Sequence, residues 1–151
     1  MPHPIPQASN TTVAFFIKFA RFEHAMNKAG YVSADRREQA RADWAKLRDS
    51  VEFGALVDDL VADRSVRYLI DNPPNWLRYD ARRDALEWEP YGGGQDTANA
   101  VVWAPNRVRN NLFHGDKEFD GTERDADLLN GGLRAIDMIL DGIPALAQQY
   151  R

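Results

Sequence analysis

The chain has 151 residues, with 19 Lys and Arg against 23 Asp and Glu, a formal net charge of −4 and no cysteine. This length suits one domain that buries about 70% of its unfolded surface and needs no disulfide or metal staple. The absence of cysteine excludes disulfides, thiol catalysis and thiolate metal sites. The acidic balance excludes a protein that coats nucleic acid by bulk charge.

Residues 1–10 are proline-rich and lack the basic start of a signal peptide, so they read as a flexible tail before a single domain over 11–151. No apolar run is long enough to span a bilayer, and a cytoplasmic protein is expected. From about Thr11 to Gly30, the residues Phe15, Phe19, Phe22, Met26 and Ala29 recur at helical spacing and make one apolar stripe. Asn10 or Thr11 can cap this helix. Gly30 stops it where a left-handed backbone costs least. Val13, Phe16 and Ala20 widen the face. Glu23 falls on its edge in register with Ala20 and Asn27, where a carboxylate needs a partner.

A second helix is predicted from Ser33 or Asp35 to about Ser50. It would bury Ala40, Trp44 and Leu47 and expose Arg36, Arg37, Glu38 and Arg41. A third is predicted from about Glu52 to Asp71, with a break near Asp63–Ser65 and Leu56, Leu60, Val61, Tyr68 and Leu69 inward. Asn72-Pro73-Pro74-Asn75 is a firm break. Residues from Trp76 to Pro90 read as a short strand or a packed loop, folded back on the helices by its two tryptophans. Tyr91-Gly92-Gly93-Gly94-Gln95 reads as a linker, because no Lys-Ser/Thr follows to make a phosphate loop. Thr97 opens a helix carrying Val101, Val102, Val108 and Leu112. It is kinked or restarted at Pro105 and closed by His114-Gly115. The last helix runs from about Glu123 to Leu140 or beyond. Its stripe is Leu129, Leu133, Ile136, Leu140 and Ile143, and Gly131-Gly132 would let another helix approach closely. The expected fold class is all-α, an up-and-down helical bundle of four to five helices.

The densest chemistry lies in Arg107-Val108-Arg109-Asn110-Asn111-Leu112-Phe113-His114-Gly115. Arginine offers a planar fork of donors that stays charged, and histidine moves a proton near neutral pH. Together they could break a phosphodiester without a metal. Between residues 105 and 117, Arg107, Arg109 and Lys117 face Asp116 alone, so any RNA contact is confined to this patch. The histidines are His3, His24 and His114, and none has the spacing of a metal-binding helix; neither a metal nor a cofactor is expected. On a regular helix, Arg107, Asn110 and His114 share a face, and Arg109 lies about 140° from His114. A histidine at a helix end can equally serve as a cap for free carbonyls.

Arg109-Asn110-Asn111-Leu112-Phe113-His114 resembles the arginine–polar–x–x–x–histidine signature of HEPN domains, the higher eukaryote and prokaryote nucleotide-binding family. Arg21-Phe22-Glu23-His24-Ala25, followed by Ala29-Gly30-Tyr31, is similar to the first helix of many prokaryotic members. The resemblance implies a HEPN-like bundle that dimerises, with two motifs meeting in one cleft. It implies a metal-independent endoribonuclease of the kind found as toxins or antiviral defence effectors, with RNA as substrate and a protein antitoxin or regulator as a further partner. Arg109, Asn110 and His114 would be catalytic, with Glu23, Arg107, Asn111 and Lys117 in support. Both arginines fit the family's spacing, and the polar residue after Arg109 favours it. The alternative is a catalytically inactive module that binds nucleotide, RNA or a protein partner. A third possibility is a polar network that fixes the dimer. Family members regulated by nucleotidylation often carry a tyrosine two residues after the histidine. Asp116 stands there in this chain, which speaks against that route.

Overall fold

The computed structural model describes residues 10–89, 97–113 and 123–150. Within these the chain is mainly helical, in line with the all-α expectation, and two small antiparallel hairpins stand beside the helices. Residues 1–9 of the expected tail over 1–10, and the glycine linker, lie outside the described residues.

Helix α1 spans Asn10–Lys28 and buries Phe15, Phe19, Phe22 and Met26, the stripe read from the sequence. It begins at Asn10, the last residue assigned to the tail. Gly30 has φ +95°, and the Tyr31 N–H reaches back to the Met26 carbonyl at 2.9 Å while the Gly30 N–H meets Asn27. This is the six-to-one closure that glycine permits after a helix.

The second predicted helix is largely absent. Strands β1 (Val32–Ala34) and β2 (Ala40–Ala42) pair antiparallel there, with Ser33 opposite Arg41. The physical reason lies in Asp35. Its carboxylate accepts from the N–H groups of Arg37 at 2.7 Å and Gln39 at 3.0 Å, closing a turn rather than capping a helix. Helix α2 is confined to Trp44–Arg48, capped by Asp43. The third predicted helix is divided into α3 (Val51–Gly54), α4 (Val57–Ala62) and α5 (Arg64–Asp71). Ser50 caps α3 and Asp63 caps α5, each accepting from free N–H groups that a continuous helix would have used.

Asp63 also receives Arg134 at 2.8 Å. Burial works to raise the pKa of this carboxyl, but the bonds from Arg134, Val66 and Ser65 outweigh it and hold the pKa below the ordinary value. Stability from a depressed carboxyl is present above the unfolded-state pKa and is lost as pH falls through the folded one. Asp63→Ala should therefore cost about 1–2 kcal/mol in urea denaturation near neutral pH. The gap between variant and parent should narrow as the medium is acidified below about pH 4.

Strands β3 (Trp76–Asp80) and β4 (Ala85–Glu89) form the second hairpin, with Tyr79 opposite Leu86, and β3 lies against helix α6. The strand option for this segment is the one adopted. Helix α6 spans Thr97–Phe113 and continues through Pro105, which is buried. Helix α7 (Glu123–Gly142) is the hub, packing on α1, α5, α6 and the short α8 (Pro144–Gln149). Close approach at its centre depends on Gly131 and Gly132. A Cβ on Gly131 would stand 2.7 Å from the Ser65 carbonyl oxygen, and one on Gly132 would stand 2.7 Å from the Phe15 ring. The core is continuous: Phe15, Phe22, Phe53, Leu60, Ile136 and Ile139 are fully buried in a single cluster.

Candidate functional site

The two segments singled out in the sequence meet where α6 crosses α1. Val101, Ala104, Val108 and Asn111 recur every three or four residues on α6 and are buried, which fixes the rotation of the helix. Arg109 then lies on the flank facing α1. Arg107, half-buried, lies about 160° around the helix from it.

Arg109 is held from two sides. Its guanidinium carbon stands 5.3 Å from the centre of the Phe19 ring, and Nη2 lies 3.7 Å from Oε1 of Glu23. Phe19 and Glu23 are four residues apart on α1, so one helix face supplies both contacts. Beneath them is an aromatic cluster. Phe19 stacks on Trp44 at 5.7 Å, and Trp44 also packs on Phe22 and on Trp103. A cation over such a surface is poorly hydrated on one side, which strengthens its interaction with the ring and with any anion.

Glu23 is half-buried, and burial pushes its carboxyl above the usual carboxylate range, against the pull of Arg109 and then of Arg41. Arg41 comes from β2, the strand that packs against α1. Its approach was hidden in the sequence because that segment read as the solvated face of a helix.

The remaining residues separate. Asn110 is exposed and its Nδ2 donates to Asn106 Oδ1, one turn back. Asn111 is buried, and its Nδ2 donates to the Asn75 carbonyl at 2.8 Å. It ties the connector before β3 to α6. The positions of His114 and Lys117 lie outside the described residues. Among the described residues, no group of three or more His, Asp or Glu side chains could hold a metal ion. No helix there is long and apolar enough to cross a membrane. Comparison with protein-family models, with curated proteins and with solved structures gives no match.

Proposed function

We propose that the chain is a HEPN-type, metal-independent endoribonuclease that acts as a dimer. One observation carries this reading. The arginine of the α6 motif is seated against the α1 segment that bears the second part of the resemblance, at the Glu23–Arg109 pair. In the proposed reaction the ribose 2′-OH attacks the adjacent phosphorus. The 5′-oxygen leaves with a proton, and a cyclic phosphate remains. His114, one from each subunit, serves as general base and general acid. Arg109 stabilises charge growing on the phosphoryl oxygens. Asn110 orients the phosphate or the imidazole. Glu23 acts as a positioning residue for Arg109.

The test is incubation of purified protein with RNA in EDTA. Wild type should cut RNA but not DNA, and His114→Ala should be slower by about 10²–10⁴-fold. Equal degradation by both proteins, no degradation by either, or a metal requirement would overturn the proposal.

The placement of Asn111 favours a second reading. One polar residue of the motif is spent on holding a connector, as it would be in a module that binds without cutting. That module would hold nucleotide, RNA or a protein partner on the same patch. It would show affinity that falls with salt, and no cleavage.

A further inference from the structure

Helix α1 has a second face that none of the other described residues covers. At 100° per residue, Val13, Ala14, Ile17, Ala20, Arg21, His24 and Lys28 point away from the core, and all are exposed; Val13 and Ala20, expected from the sequence to widen the buried face, lie on this one instead. Val13 is 46% and Ile17 54% exposed, a turn apart and flanked by small side chains, so they form a stripe rather than scattered residues. The face changes character along its length. After Asn10 in the first turn, the first half is apolar, and the second carries Arg21, His24 and Lys28. The carboxylate of this helix, Glu23, sits on the flank beside Arg109.

A concavity of about 380 Å³ opens at the polar end, lined by His24 and Lys28 from α1 and by Gln148 and Gln149 from α8. These side chains can offer an ammonium, amide N–H groups and an imidazole, and no carboxylate lines the concavity among the described residues. In a chain of net charge −4, this is a local site for an acidic group.

We propose that this face docks a segment of a partner protein that carries two apolar side chains one turn apart and, two to three turns further on, a carboxylate. The apolar pair covers Val13 and Ile17. The carboxylate enters the concavity, seven to eleven residues along α1 from Ile17, which is about 10–17 Å on a helix. A helical segment laid along α1 meets both requirements with a single face.

Charge decides against other occupants. A second copy packed antiparallel would bury Arg21 and Lys28 against the apolar half of its partner, and one packed parallel would set like charges together; both are costly. A membrane surface is poorly served by two large apolar side chains. RNA leaves the apolar half unused. The inference does not depend on the nuclease reading.

The experiment selects helical peptides from a displayed random library on the full-length protein and measures their affinity by fluorescence anisotropy. Enriched peptides should carry the apolar pair and the distal acid. Ile17→Asp and Lys28→Glu should each weaken binding about tenfold or more, while circular dichroism shows both variants folded. Replacing the peptide's acid with lysine should restore binding to Lys28→Glu. Failure to enrich any peptide, enrichment of peptides without the pattern, or unchanged affinity in the two variants would overturn the proposal. So would co-sedimentation with phosphatidylserine vesicles, displacement of the peptide by single-stranded RNA, or conversion of a dimer to a monomer by Ile17→Asp.

Discussion

Phe15→Ala should lower the unfolding free energy by about 3–5 kcal/mol in urea denaturation, a large share of the total for a domain of this size. The ring is fully buried, lies 5.8 Å from Phe19 centre to centre, and fills the space that Gly132 leaves on α7. That last contact makes the prediction sharper. Gly132→Ala should gain about 1 kcal/mol in helix propensity. In the wild-type background it should nevertheless destabilise by about 1–3 kcal/mol, because the new methyl meets a ring with nowhere to go. In the Phe15→Ala background the clash is gone, and Gly132→Ala should become neutral or stabilising. The double-mutant cycle therefore has a sign as well as a size. An identical cost for Gly132→Ala in both backgrounds would show that α1 and α7 are not locked through this pair.

The same contact shows what the sequence could reveal. The stripes of α1 and α7 were legible because each repeats over four or more turns, and the stop at Gly30 because few residues accept its backbone. The glycine pair on α7 could be read as a place of close approach, although not as one meeting Phe15 and Ser65. The position of Glu23 on the edge of an apolar face showed that it needs a partner, but not that the partner is Arg109; only the family resemblance put the two residues in one site. The β1–β2 hairpin was not legible. Its strands are three residues each, too short for a period of two to show, and Asp35 can open either a helix or a turn. The tie made by Asn111 was not legible either. Asn111 lies on the buried line of α6 with Val101, Ala104 and Val108, where a polar side chain satisfied by the connector looks, in sequence, like part of a site.

Under the proposed reaction, Arg109→Ala should reduce RNA cleavage by about 10²–10³-fold, the cost of removing a donor aimed at developing charge. The fold should survive, and the way its stability varies with pH identifies what else Arg109 does. Burial already raises the Glu23 pKa, and Arg109 is the stronger of the two cations opposing that rise. Without Arg109 the Glu23 pKa should climb further. A carboxyl raised in the folded state costs stability while it is ionised, above its folded pKa. The cost disappears as pH falls through that pKa towards the ordinary value of 4.5. The variant should therefore be less stable than wild type near neutral pH and should recover on mild acidification. Glu23→Gln combined with Arg109→Ala should remove the pH dependence without restoring activity. Arg109→Lys keeps a charge beside Glu23 but loses the planar fork over Phe19, so it should rescue stability more than cleavage. Loss of cleavage accompanied by melting or dissociation of the protein at every pH would make Arg109 a structural residue. Full activity in a folded Arg109→Ala protein would remove it from the chemistry and leave Arg107, on the other flank of α6, as the arginine to test.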